Sequence, residues 1–392
     1  MLTKTASTVS DLLKRQKKND ETLRNALKQL GYECGECIEL CSERNTQAKY
    51  SLDDAMGMTI TKEIIPTKAN LQDNDLSKFW IVNPKEFVYN PRTHGKKIGL
   101  GFNNTDKPFI ISWNNIAFRV KDQTLLLPDY LYVIICRKEW DRNACFRSWG
   151  SSTEVFSWSE FTLMEIPLPS IEVQQELVDT YNGLKALAEQ NEALIEPLSK
   201  ACEAFIVDCK TKYPEVELGE YIEEGIEKNR DYQYDADNAR GVYCDGTFGD
   251  TKANLVGSDL AGYKIVHTGD FAYSNRINIG SIALNFGESL IVSPSYTVFR
   301  LRSNQIIPKF LFILFRRNEF LRSTLFYAIG TIKDDFSYER MGEVKIPLPP
   351  IETQQSIVNL YNCLEEAKKI ASEAREKLKT LCPALVQRAA NS

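Results

Sequence analysis

The chain has 392 residues, 43% hydrophobic and 26% charged, which supplies apolar material for two or three folded domains and lacks the charge excess of a disordered chain. A net charge of -5 argues against nonspecific coating of nucleic acid, because that depends on neutralising phosphates with Lys and Arg. Ten cysteines in a chain of this length suit buried thiols better than a disulfide scaffold, and only two histidines, His94 and His267, leave little room for histidine-based catalysis or zinc chemistry.

In chain order, Met1 to Ser10 leads into the polar stretch Asp11 to Lys18 and not into an apolar run, so no secretory leader is read. No stretch approaches the roughly 18 apolar residues of a membrane helix, and a cytoplasmic protein is expected. Leu12, Leu13, Leu23, Leu27 and Leu30 share a broad face and predict an N-terminal helical segment within 1–30. Residues 31–165 then mix strand-like runs such as Phe109 to Ile111 with a short helix expected to start at Pro128. After Ile166-Pro167-Leu168-Pro169-Ser170-Ile171-Glu172-Val173-Gln174-Gln175 the period changes. Leu177, Tyr181, Leu184, Ala188, Asn191, Ile195, Leu198, Cys202 and Phe205 follow steps of four and three, the seam of a coiled coil along a spacer helix over 166–212. About 40 residues at ~1.5 Å each give a rod of roughly 55–60 Å. Pro197 is expected to kink or break it.

The chain then starts again. Residues 213–345 form a second globular part with strand-like Leu290 to Val292 and Tyr296 to Phe299 and a helix starting at Pro308, and 346–392 form a second spacer helix. Ile346-Pro347-Leu348-Pro349-Pro350-Ile351-Glu352-Thr353-Gln354-Gln355 repeats the earlier string at an offset of 180. Thr67-Lys68-Ala69-Asn70 returns as Thr251-Lys252-Ala253-Asn254, and Phe87-Val88-Tyr89 as Phe271-Ala272-Tyr273, both at an offset of 184. The second seam is read as Ile357, Tyr361, Leu364, Ala371, Leu378, Cys382 and Leu385, with Lys368 and Arg375 intruding. The expected fold is α+β: two duplicated mixed α/β domains separated by two long helices that pair as an antiparallel coiled coil about a pseudo-two-fold axis.

Catalytic signatures are missing. There is no phosphate-binding loop, and Tyr89-Asn90-Pro91-Arg92 lacks the second Pro and the aromatic of an amino-methyltransferase pocket. Gly99-Leu100-Gly101 is a lone Gly-x-Gly, expected to be a turn. Cys34, Cys37 and Cys41 have the spacing of a metal cluster, but the matching positions Leu218, Tyr221 and Gly225 carry no ligand, which favours packed or free thiols and no metal.

Residues suited to DNA are concentrated in loops. Arg92, Lys96 and Lys97 follow aromatic Phe87 and Tyr89, while Asn275, Arg276 and Asn278 follow Tyr273 in the second copy. Arg and Asn can pair bidentately with guanine and adenine edges, whereas Lys neutralises phosphate. Lys68, Asn70, Lys252 and Asn254 lie in identical strings, so they serve either a shared turn or a shared backbone contact. Ser151, Ser152, Thr331 and Lys333 are the next candidates.

The two Ile-Pro-Leu-Pro-x-Ile-Glu-x-Gln-Gln strings opening long helices, with Gly150-Ser151 and Gly330-Thr331 and with Phe156-Ser157-Trp158 and Phe336-Ser337-Tyr338 before them, resemble the specificity subunit of type I restriction–modification systems. The resemblance covers residues 31 to about 385. It implies two target-recognition domains, helices that act as spacer and docking platform, and a non-catalytic subunit. The implied partners are double-stranded DNA, two methyltransferase subunits and the restriction/translocase subunits, with S-adenosylmethionine, ATP and Mg used by those partners and no cofactor in this chain. Two alternatives stay open: a targeting subunit of a related fused restriction–methylation system, and a freestanding DNA-binding or coiled-coil scaffold protein.

Overall fold

A computed structural model of the chain describes residues 31–72, 74–94, 97–149, 154–274, 281–320, 322 and 336–391, with side chains for all of these but 31, 93, 94 and 380–391. The N-terminal segment expected to be helical lies outside them. Contacts divide the chain into two units, one ending at Gln190 and resuming at Ile370, the other comprising Asn191–Lys369.

In the first unit, β1 (Gly31–Glu33) pairs antiparallel with β10 (Glu165–Pro167), so the strand that opens the globular part is bound to the Ile-Pro string that closes it. A single turn, α1 (Cys34–Cys37), leads into an antiparallel sheet of order β2-β9-β6-β7, formed by Ile38–Leu40, Ile116–Val120, Phe87–His94 and Lys97–Phe102. The hairpin β3 (Met56–Met58) with β4 (Ile64–Pro66) and the pair β5 (Trp80–Val82) with β8 (Phe109–Ile111) complete the strands. Alternation along β6 turns Phe87 and Tyr89 to the same face. There Phe87 stacks on Phe118 at 4.9 Å and Tyr89 meets Phe118 edge-on at 6.1 Å. Helix α2 (Pro128–Ile135) covers this face with Tyr130, Leu131, Ile134 and Ile135; its Pro sits in the first turn, where the missing N–H costs nothing. α3 (Lys138–Phe146) and α4 (Trp158–Thr162) close the core with Trp140, Ala144 and Phe161.

The second unit repeats the frame. β11 (Glu215–Glu217) pairs with β20 (Lys345–Pro347), and the aromatic sheet has the order β12-β19-β16-β17, from Ile222–Glu224, Tyr296–Leu301, Phe271–Ser274 and Ile282–Leu284. Phe271 stacks on Phe299 at 4.9 Å and Tyr273 meets it edge-on at 6.1 Å, the same arrangement as in the first copy. A second sheet joins β14 (Phe248–Asp250), β13 (Ala239–Val242), β18 (Leu290–Val292) and β15 (Lys264–Val266), with β13 and β18 parallel. Helices α6 (Pro308–Phe315) and α7 (Tyr338–Gly342) stand where α2 and α4 stand in the first unit.

The repeated Gln-Gln string has a folding role. At the start of α5 (Ile171–Lys212) the fully buried Gln174 accepts from Leu127 N at 2.9 Å and donates to Leu125 O at 2.8 Å and Pro169 O at 2.9 Å. At the start of α8 (Ile351–Asn391) Gln354 accepts from Ile307 N at 2.8 Å and donates to Gln305 O and Pro349 O at 2.7 and 2.9 Å. One side chain thus ties each long helix to the loop that feeds α2 or α6.

Within the second unit the helices pair antiparallel. Cys202 of α5 lies within electrostatic reach of Cys363 and Lys368 of α8, while Ile206 and Cys209, further along α5, share a core with the earlier Ile357 and Val358. Ile357 and Leu364 are buried, and Tyr361, Ile195 and Leu198 are half-buried; in the first unit Leu177 and Leu184 are buried and Tyr181 and Leu378 half-buried. The side chain of Leu385 lies outside those described.

Several sequence expectations are corrected. Phe205 is 47% exposed, and Ile206 and Cys209 are buried instead, because the seam takes two steps of four after Leu198. In α8 the seam steps three from Leu364 to Ala367, so Lys368 points outward and does not intrude. α5 continues through Pro197, whose face is exposed, so the acceptor it leaves unpaired is open to water. Gly99-Leu100-Gly101 lies inside β7 and is no turn; a Cβ on Gly101 would stand 2.0 Å from Ile64 Cδ1, so glycine there lets the β3–β4 hairpin close on the sheet.

Candidate nucleic-acid interface

The loops projecting from the two frames hold the polar residues singled out in the sequence. Thr67, Lys68, Ala69 and Asn70 leave β4 in a tight turn held by its own side chains. Ala69 N donates to Thr67 Oγ1 at 3.3 Å and Gln72 N to Asn70 Oδ1 at 3.2 Å. The second copy reproduces it after β14, with Ala253 N on Thr251 Oγ1 at 3.3 Å and Val256 N on Asn254 Oδ1 at 3.1 Å. Asn70 and Asn254 are therefore turn-forming residues, whereas Lys68 and Lys252 are exposed.

Arg92 owes its position to an irregularity in β6. Tyr89 faces Leu100, but the next pair is Thr93 with Ile98, so Asn90, Pro91 and Arg92 bulge opposite Gly99. Asn90 Oδ1 accepts from Arg92 N at 3.0 Å, and Pro91, which has no N–H to offer the ladder, gives its carbonyl to Phe156 N at 2.7 Å. The bulge sets Arg92 against Val155, and Val155 in turn bridges Trp149. Trp149 is 73% exposed and places an indole in the same patch as the exposed Arg92. Trp149 is not among the residues singled out from the sequence, although an aromatic directly before Gly150-Ser151 is the signal that points to it. Lys97 is exposed at the start of β7, opposite His94. Among the described residues Arg92, Lys97, Lys68 and Lys252 have no ion-pair partner.

Lys96, Ser151, Ser152, Asn275, Arg276, Asn278, Thr331 and Lys333 lie outside the described residues. The structure therefore brings Arg92, Trp149 and Val155 together in the first unit, while the Thr67 to Asn70 turn and its counterpart are separate features of their own units.

Cys34 and Cys41 are packing residues. Cys34 belongs to the aromatic core, and burial pushes the Cys34 and Cys41 thiols well up from their usual range. Among the described residues no group of three His, Cys, Asp or Glu side chains is placed to hold a metal ion. His267 lies between Ser289 Oγ at 3.0 Å and Glu227 Oε2 at 2.9 Å, and is a satisfied hydrogen-bonding residue. No helix among the described residues is long and apolar enough to cross a membrane.

Residues 197–380 match the family model for the type I restriction modification DNA specificity domain. The type I restriction enzyme MjaVIII specificity subunit of Methanocaldococcus jannaschii is 23% identical, with 79% of this chain and 83% of that protein covered. Among solved structures, the S subunit of a type I restriction–modification system from M. genitalium superposes with a TM-score of 0.59 at 13% identity, covering 92% of this chain and 95% of that one. The HsdS subunit from Thermoanaerobacter tengcongensis covers 93% of this chain and 96% of its own at 16% identity, with a TM-score of 0.39.

Proposed function

We propose that this chain, whose residues 197–380 match the type I restriction modification DNA specificity domain, is a specificity subunit that reads a bipartite site in double-stranded DNA, one globular part to each half-site. The bulged Arg92 loop beside Trp149 serves the first half, and the loop that follows Tyr273 serves the second. Helices α5 and α8 act as spacer and as docking platform for two methyltransferase subunits and, through these, for restriction/translocase subunits. The subunit itself does no bond-making chemistry; S-adenosylmethionine, ATP and Mg belong to the partners, which also supply much of the electrostatic attraction to DNA that an acidic chain lacks.

The observation that carries this reading is the contrast between frame and loops. Phe87, Tyr89 and Phe118 repeat as Phe271, Tyr273 and Phe299 with the same ring spacings, while the loops on that frame differ in length and chemistry. A common scaffold with divergent loops is what two readers of different half-sites require. The test is to map methylated bases in a host that carries this chain with its neighbouring subunits. A two-part motif that disappears when the chain is deleted is the expected result; methylation that persists without the chain would sink the assignment.

A further inference from the structure

Basic residues that stand at equivalent places in both copies are the natural candidates for contacts with a part of the ligand that does not vary. Three such pairs have acidic neighbours within the chain; a fourth, Lys121 with Arg302, is tied to backbone carbonyls, and in a fifth, Arg44 with Lys228, the arginine lies over the Trp80 ring. Arg119 pairs with Glu39 at 2.8 Å and its counterpart Arg300 with Asp270 at 3.1 Å. Arg137 lies 3.5 Å from Glu139 and its counterpart Arg317 3.0 Å from Glu203. Arg142 stands by Glu139, as Arg322 stands by Glu319. Arg276, the counterpart of Arg92, lies outside the described residues. Lys68 and Lys252 are different: both are exposed, and neither has a carboxylate partner among the described residues.

The string around them narrows the choice. Residues Thr67 to Leu71 are identical to Thr251 to Leu255. Folding accounts for Thr67, Asn70, Thr251 and Asn254, whose oxygens close the turn, and for Leu71 and Leu255, which pack on the small cores built around Ile110 and Ile291. It does not account for the lysine, because an exposed second position in a turn closed by its neighbours accepts most side chains. Two half-sites of different sequence share one chemical feature, the phosphate backbone, and an ammonium on a flexible stem suits a phosphate as a point charge.

We propose that Lys68 and Lys252 are a duplicated pair of phosphate contacts, each holding its domain on the DNA backbone without reading bases. This rests on the DNA-reading assignment above and assigns the division of labour within it. The test uses the chain assembled with its methyltransferase subunits and measures binding to the mapped site and to single-mismatch duplexes at several salt concentrations. Lys68→Ala and Lys252→Ala should each reduce the slope of log affinity against log salt by about one unit, and the double variant by about two. Mismatch discrimination should stay at the wild-type ratio, and Lys→Arg at either place should restore the slope. Thermal midpoints should not move, since Thr67 and Asn70 still close the turn. An unchanged slope in assembled, folded variants would overturn the proposal, as would loss of discrimination at a single base pair, which would make the lysine a base reader. If the wild-type assembly itself fails to discriminate, the DNA-reading assignment fails first, and that outcome is visible without any lysine variant.

Discussion

The side-chain carbonyl of the buried Gln174 accepts the backbone N–H of Leu127 at 2.9 Å, across 47 residues of sequence. With the bonds to Leu125 O and Pro169 O, this amide satisfies one donor and two acceptors that lie in loops outside the strand and helix ladders, and Gln354 does the same in the second unit. Gln354→Ala should leave those groups without partners and destabilise its domain by about 1–3 kcal/mol for each buried group stranded. Urea unfolding of the purified chain reads this directly; a midpoint unchanged by the substitution would show that the clamp is dispensable.

Lys62 is 3% exposed and bonds Asp141 at 2.6 Å, with φ at 67°, a left-handed backbone. Its counterpart in the second copy is Gly246 at φ 81°, which packs under Phe312, where Tyr132 in the first copy bonds Lys62 O at 2.9 Å. Removing one partner of such a pair strands a buried charge, so Asp141→Ala should cost about 3–5 kcal/mol. The double variant Lys62→Gly with Asp141→Asn imitates the second copy at position 62 and should regain much of that loss. Equal stability of the single and double variants would contradict this account.

The thiols offer a probe of packing. Burial raises Cys34 and Cys41, which keeps them protonated at pH 8 as well as shielded, whereas Cys244 and Cys363 are exposed. Iodoacetamide at that pH should label Cys244 and Cys363 in the folded chain and spare Cys34 and Cys41 until denaturant is added. Peptide mass spectrometry follows each site. Labelling of Cys34 at the rate of Cys244 would mean that the first core is open.

Arg92 and Lys97 separate two kinds of contact. If Arg92 meets a guanine edge, Arg92→Ala should cost about 1–3 kcal/mol and relax specificity at one position, while Lys97→Ala should weaken all sequences alike. Arg276→Ala should relax one position of the other half-site. Binding of assembled complexes to a panel of single-mismatch duplexes measures both effects. Intact discrimination in both Arg variants would move the reading residues elsewhere, with Trp149 the first to examine.

Much of this molecule was legible because duplication acts as a control inside one sequence. The offsets located the repeated strings that open α5 and α8, and the paired Pro128 and Pro308 located α2 and α6, since Pro marks a helix start by its chemistry alone. The seam was less legible. Phe205 and Ile206 are both strongly apolar, yet only Ile206 is buried, because the step past Cys202 is set by the core that α5 enters and not by residue type. The role of Gln174 was hidden for a similar reason: its three partners lie in loops whose position follows from the fold. Arg92 is a candidate on its chemistry alone, but the bulge that positions it depends on pairing between β6 and β7, and its neighbour Trp149 becomes visible only when Val155 joins them.

The most direct test of two independent readers is exchange of residues 31–165 for the matching domain of a relative, with methylated bases mapped in a host carrying the partner subunits. One half of the methylated motif should change to that of the donor while the other half stays as it was. If both halves change, or if the motif is unaltered in an assembled and active complex, the two globular parts do not read separate half-sites.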